Sequence, residues 1–175
     1  MKKVVFVLII LGLLAGVVIQ QQPETTSQML PTLPKFKVSD VAEFEIKMNA
    51  TKAIKGTRDG DSWLLSESEQ PTPIKAAEVG RLLSDLSNMQ PKRVASHKPE
   101  HHARFSVTDA DASVELHNVA GETLLHLIVG KPATDLVSTY VRLAGDDMVI
   151  TVDKTLTWQV KRTEEAWLVE EVDSE

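Results

Sequence analysis

Cysteine is absent from the 175 residues. Its absence excludes disulfides, thiolate metal sites and a cysteine nucleophile together. It leaves the compartment open, because a domain with an adequate core needs no covalent staples. Aromatic residues are scarce at 5%, with one tyrosine and three tryptophans. Positive net charge is also missing, the formal value being -6. Six acids follow the last base, Arg162: Glu164, Glu165, Glu170, Glu171, Asp173 and Glu175. The body of the chain is therefore close to neutral. A neutral body argues against nucleic acid, whose phosphates select a basic stripe. No G-x-S-x-G, H-E-x-x-H, phosphate loop or dinucleotide glycine pattern occurs, which removes the usual signatures of serine, zinc and nucleotide chemistry. What remains is an ordinary globular balance, 42% hydrophobic and 25% charged, in a length that suits one domain.

The N-terminus carries the most specific signal. Met1, Lys2 and Lys3 precede an unbroken apolar run from Val4 to Ile19, closed by Gln20, Gln21, Gln22 and Pro23. If helical, this run reaches about 24 Å, somewhat short of a hydrocarbon core of about 30 Å. Length alone admits an anchor or a cleaved signal peptide. The flanks favour the anchor, since the only small pair, Ala15 and Gly16, lies inside the run and is followed by Val17, Val18 and Ile19. Leu13 to Gly16 resembles the start of a lipoprotein box, but Val17 stands where the lipidated cysteine belongs. Residues 1–22 are thus read as a membrane anchor, with a cleaved signal as the alternative. The two lysines place the remainder outside the cytoplasm. Residues 23–37, with Pro23, Pro31 and Pro34, read as an extended linker.

From Val38 to residue 170 the pattern is that of one folded domain. Phe44, Ile46 and Met48 alternate with Glu45, Lys47 and Asn49, the period of a half-buried strand. Asp59 and Gly60 signal a tight hairpin that places Trp63 on its return strand. Pro71 and Pro73 open a helix running to about Gln90, whose apolar stripe is Ile74, Ala77, Val79, Leu82, Leu83, Leu86 and Met89. Further strands are expected at Arg93–Ser96, Ser113–Asn118, Thr123–Val129, Thr139–Leu143 and Met148–Val152, the last two joined through Gly145, Asp146 and Asp147. Asp153 to Leu156 is expected to cap one helical turn, and residues 171–175 form an acidic tail. The stretch Val160 to Val169 faintly echoes Ile54 to Leu65, each ending in Trp and Leu; two unrelated hairpins or a vestigial repeat would both produce this.

The fold expected is α+β: a mainly antiparallel sheet of about seven strands, one major amphipathic helix packed on one face, and a single transmembrane helix in front. Trp63, Leu82, Leu86, Leu125, Leu127, Val129, Val141 and Val149 are the expected core.

Residues able to do chemistry are few, and ordinary roles account for them. His97, His101 and His102 are the densest group of metal-ligand types, but adjacent histidines on a loop need a third ligand placed by the fold. His117 and His126 fall within alternating strands. Asp59/Asp61, Asp109/Asp111 and Asp146/Asp147 sit in turns, where aspartate is expected for its own hydrogen bonding. No twelve-residue calcium loop surrounds Asp109 and Asp111. Lys92, Arg93, Lys98 and Arg104 form a weakly basic stretch, read as a solvated face. No catalytic, cofactor or metal residue is assigned, and no cofactor is expected.

The strand Phe44–Met48, the hairpin ending Asp61, Ser62, Trp63, Leu64 and Leu65, and the Pro73-opened helix with Leu82, Leu83 and Leu86 come in a recognisable order. With Val94, the run Leu127–Gly130, the triplet Tyr140, Val141, Arg142, and Val149, the chain resembles the DUF4340 family over roughly residues 40–160. Members typically show a Gly-rich turn before a Trp, a Pro before the helix, an "iG" strand end and a "yvr" strand. The chain departs at Phe105, Ser106 and Val107, where many members carry Tyr-Gly-Leu. The resemblance implies an exported, membrane-associated domain of unassigned activity, in some relatives in tandem copies or near ABC-type export systems. It supplies no catalytic residues. The function expected is a non-enzymatic, membrane-tethered periplasmic module that binds an envelope protein through a sheet edge or the helix surface, or serves as an assembly part of the envelope, with residues 4–19 in the inner-membrane bilayer. A small-ligand-binding domain or a hydrolase is the alternative.

Overall fold

The computed structural model describes residues 30–49, 52–66, 68 and 70–169. Period-two alternation produces β1 (Glu43–Asn49), with Phe44 and Ile46 buried and Lys47 exposed. It pairs with β2 (Lys52–Asp59), which returns as β3 (Ser62–Leu65). Gly60 takes a φ of 61° at the first of two loop positions between the paired Asp59 and Ser62, a conformation that a side chain would strain. Trp63 lies on the return strand, as the turn signal predicts, and is buried.

Pro73 and Ile74 do not open the helix. They form a two-residue strand, β4 (Pro73–Ile74), with Ile74 opposite Trp63. A proline that cannot donate to a ladder fits such an edge. The helix α1 (Ala76–Asn88) starts two residues later and buries Val79, Leu82, Leu83 and Leu86, while Ala77 is exposed. There follow β5 (Pro91–Ser96), a short helix α2 (His102–Phe105), β6 (Ser113–His117) and β7 (Thr123–Pro132). Then come β8 (Thr139–Leu143), β9 (Val149–Val152) and a short helix α3 (Thr157–Val160). β7 continues through Gly130 to Pro132 rather than stopping before the glycine. The helical turn after β9 begins at Thr157, just beyond the stretch expected to cap it.

All strands join one antiparallel sheet in the order β4-β3-β2-β1-β6-β7-β8-β9-β5. The α+β class stands, but the sheet has nine strands where about seven were expected. The expected transmembrane helix is also corrected: among the described residues no helix is long and apolar enough to cross a membrane. Residues 1–22, to which it was assigned, and the tail 171–175 lie outside the described residues.

Chain connectivity dictates the shape. Consecutive elements β4, α1 and β5 link the two opposite edges of the sheet. Eight interstrand gaps at about 4.8 Å make a flat sheet about 38 Å wide, whereas a helix of 13 residues is only about 20 Å long. The sheet must curl so that α1 fills its concave side. One contiguous core results, from Trp63, Phe44 and Ile54 near one edge to Val94 and Val152 near the other, with the apolar stripe of α1 packed into it. Leu33 is buried in this core, and Phe36 packs against it, although composition assigns both to the linker. Leu156, Val160 and Trp167 close it from the C-terminal side.

The stretch Val160 to Val169 is not a second hairpin. It leaves α3, makes one 3-10 turn at Glu164–Ala166, and lays Leu168 against Ile74 in an isolated bridge. Its tryptophan nonetheless converges with the first: Phe44 lies 5.2 Å from Trp63 and 6.3 Å from Trp167, ring centre to ring centre.

Candidate functional site

The convex side of the sheet is covered over one half only, against the expectation that a single face would be packed. Phe105, Val107, Ile128, Ala133, Tyr140 and Val149 form a second apolar cluster there, so Val149 serves this layer rather than the main core. It is built by the segment from α2 to Ala112, and three strand residues hold that segment down. Gly130 is one: a Cβ at this position would be driven into the Phe105 carbonyl oxygen and the Val107 side chain. Tyr140 stacks against Phe105 at 4.7 Å. Arg142, also buried, donates from Nε to the Val107 carbonyl at 2.7 Å, from one terminal nitrogen to the Asp146 carbonyl at 2.9 Å, and from the other to Asp109. The hydrogen bond and the charge of Arg142 hold the Asp109 carboxyl below the usual carboxylate range. Because Asp109 is itself exposed, the pair secures a loop more than it stabilises the fold.

Each of the other groups singled out in the sequence finds its place on this scaffold. His101 Nδ1 and Ser96 Oγ are 2.9 Å apart, while His102 Nε2 donates to the Asp147 carbonyl at 3.0 Å. His97 is exposed. The three histidines therefore do not share one centre, and among the described residues no group of three or more His, Asp or Glu side chains is set to hold a metal. Asp111 accepts from Thr108 N and Oγ1 at 2.8 and 2.6 Å, and Asp146 Oδ1 accepts from Met148 N at 3.0 Å; both are turn-forming bonds. Asp59 and Asp61 flank Gly60 in the open. Of the basic stretch, Lys92 binds Asp135 and Ser138, both at 2.9 Å, and Arg104 lies over the Phe105 ring.

Sequence reasoning missed what the uncovered half of this face brings together. Antiparallel register places Lys55, Glu45, Glu115 and His126 in one row across β2, β1, β6 and β7, with Glu43 opposite His117 in the next row. Glu115 Oε1 is 3.6 Å from His117 Nε2, and its Oε2 is 3.8 Å from His126 Nδ1, too far for hydrogen bonds. Lys47 Nζ reaches Glu45 at 3.4 Å. A hollow of about 230 Å³ opens here, lined by Glu43, Glu45, Lys55, Thr57, Ser66 and His117. The signal for this grouping was the alternation itself, which fixes each residue's face. Strand order, and hence neighbours, could not be read from it.

A family model described as a domain of unknown function, DUF4340, matches residues 63–172. The chain belongs to the DUF4340 family. No curated protein and no solved structure matches it. The match takes in Trp63, Gly130, Tyr140 and Arg142 but begins after the strand Phe44–Met48 and the turn before Trp63, on which the resemblance also rested, and the structure gives the matched motifs a physical meaning. In the "yvr" strand of this DUF4340 domain, Val141 faces the main core while Tyr140 and Arg142 face the covering segment. The "iG" glycine is the bare spot beneath that segment. Where many members carry Tyr-Gly-Leu, Ser106 sits at the C-cap of α2 with a φ of 57°, the left-handed conformation that glycine adopts without cost.

Proposed function

We propose that this DUF4340 chain is a membrane-tethered, exported domain that acts by binding an envelope protein rather than by turning over a substrate. Export and tethering are supported by Lys2 and Lys3 before the apolar run Val4–Ile19. The observation that carries the binding reading is Glu45 in direct register with Glu115 on the uncovered sheet face. Like charges directly opposite one another on a sheet destabilise it; Glu45 already has Lys47 at 3.4 Å, whereas Glu115 has only His117 and His126 at 3.6 and 3.8 Å, so a basic partner surface would relieve Glu115. Both sheet edges are poor alternatives. β4 has two residues, one of them Pro73, and Leu168 bridges to it; β5 opens with Pro91, Lys92 and Arg93 and carries two register shifts. Such short, charged, proline-bearing and irregular edges resist strand addition. The partner on this reading presents lysines or arginines to the open face, and a component of an export system is one candidate class.

The test is affinity purification of the tagged full-length chain from detergent-solubilised membranes, wild type beside Glu115→Gln. A stoichiometric partner that the wild type retains and the variant loses, with the variant's melting temperature equal or slightly higher, supports the reading. Retention of the partner by Glu115→Gln, or turnover of any substrate abolished by that substitution, sinks it.

A further inference from the structure

We infer that the loop between β7 and β8, together with Trp158, is a lipid-contacting surface that rests on an anionic bilayer. Three of the six exposed large apolar side chains among the described residues belong to it, the others being Leu30, Val119 and Val169. Leu136 is 77% exposed, Val137 60% and Trp158 47%. Leu136, Trp158 and Lys161 line one shallow cleft of about 240 Å³ with Pro132, Thr155 and Thr157.

This exposure is built into the loop. Asp135 Oδ1 accepts from Val137 N at 3.2 Å and Ser138 N at 2.9 Å; its Oδ2 accepts from Ser138 Oγ at 2.7 Å and Lys92 Nζ at 2.9 Å. Leu136 N donates to the Ala133 carbonyl at 3.0 Å. Held in this way, Leu136 takes a φ of 61°, a left-handed conformation unusual for a large aliphatic residue. Strain of this sort persists where the surroundings over-determine it, and it concentrates at binding sites. Two aliphatic side chains are thereby kept in water, and Leu136 lines the cleft it shares with the Trp158 indole.

The occupant follows from charge and tether length. Lys161 lines the cleft, is exposed, and among the described residues is in no ion pair; Lys131, next to the cleft residue Pro132 in the chain, is exposed as well. An indole with an aliphatic tip and a free lysine beside it is the composition that suits a headgroup interface. Ten residues separate Ile19 from Leu30, a stretch that extends at most about 36 Å. With Val4–Ile19 lodged in lipid, a step that rests on the tethering reading above, the domain stays beside the bilayer and meets it repeatedly.

Trp158 is a built-in reporter, because Trp63 and Trp167 are buried. The full chain is reconstituted into phosphatidylcholine vesicles, with or without phosphatidylglycerol, carrying a doxyl-labelled lipid. Tryptophan emission should be quenched more strongly with phosphatidylglycerol present. Trp158→Phe should abolish the quenching, and the pair Leu136→Asn and Val137→Asp should reduce it by roughly threefold or more. Asparagine is chosen because it tolerates a positive φ, and circular dichroism checks that the variants fold. Emission that the labelled lipid leaves unchanged while the chain resists carbonate extraction overturns the inference. So does a photo-crosslinker at position 136 that labels a protein and not lipid. If carbonate extracts the chain, the tethering reading fails by itself. The extracted chain, mixed with the same vesicles, then tests the loop alone: quenching sustains it and its absence overturns it.

Discussion

Single residues here are explained mostly by what the backbone around them requires. Ser106 holds a left-handed φ of 57°, so Ser106→Gly should raise stability by about 0.5–1 kcal/mol; a higher melting temperature with unchanged circular dichroism checks this. Gly130 makes the opposite case. Gly130→Ala should cost about 2–3 kcal/mol, because the new methyl group meets the Phe105 backbone, which cannot turn aside as a flexible side chain would. Denaturant melts of the two variants should therefore move in opposite directions, though Ser106 lies on the covering segment and Gly130 on the strand directly beneath it. Trp63 is buried against Phe44 with the Arg58 guanidinium 4.9 Å above its ring, and Trp63→Ala should cost about 3–5 kcal/mol. An unchanged midpoint in that variant would contradict its place in the core.

Elements were legible in the sequence where a period or a turn residue dictated them, and not where tertiary contact did. The alternation of Phe44, Ile46 and Met48, the Gly60 hairpin and the stripe of Leu82, Leu83 and Leu86 each state a local preference that the fold obeys. Ile74 continues the helical spacing yet lies in β4, because its partner Trp63 is already fixed on β3. The cover over the convex face was missed because Phe105 and Val107 show no period, and what holds them is an arginine 35 residues on. The uncovered face, with Glu115 between His117 and His126, depends on β6 pairing with β1 across the whole of α1, which no local pattern announces. The β7–β8 loop is organised locally on Asp135, with one distant contact from Lys92, and the Asp135 carboxyl is held far below the usual range first by the Ser138 hydroxyl and then by Lys92. Asp109 and Glu78 are lowered too, by Arg142 and Arg162 respectively. For a carboxylate depressed in the folded state, the contribution is present above the unfolded pKa of about 4 and is lost as pH falls through the folded value. Melting temperature should therefore decline on acidification below about pH 4. Asp135→Asn should lower it at neutral pH and make that decline shallower, which thermal melts across a pH series will show.

At the scale of the whole molecule, the short tie between opposite edges governs the architecture. Because α1 must bridge β4 and β5, the sheet closes around it, and the segments before β1 and after β9 are drawn in as the remaining walls. Arg162 illustrates the closure: it pairs with Glu78 on α1 while its guanidinium lies 4.5 Å from the Trp158 ring centre and 5.5 Å from that of Trp167. On the other side the buried Leu33, with Pro31, lines a small hollow together with Leu127, Val141 and Ile150. A fragment beginning at Leu30 keeps that wall, whereas one beginning at Val38, where composition alone would start the domain, loses Leu33 and Phe36 together. Exposing the sheet beneath them is a large-to-small deletion at a buried site, expected to cost about 3 kcal/mol. Urea melts of the two fragments should separate by that amount, and the shorter one should be cleaved faster by protease at equal concentration. Equal midpoints would mean that the proline-rich segment is carried by the domain without supporting it, and that the core is closed by the sheet, α1 and the C-terminal segment alone.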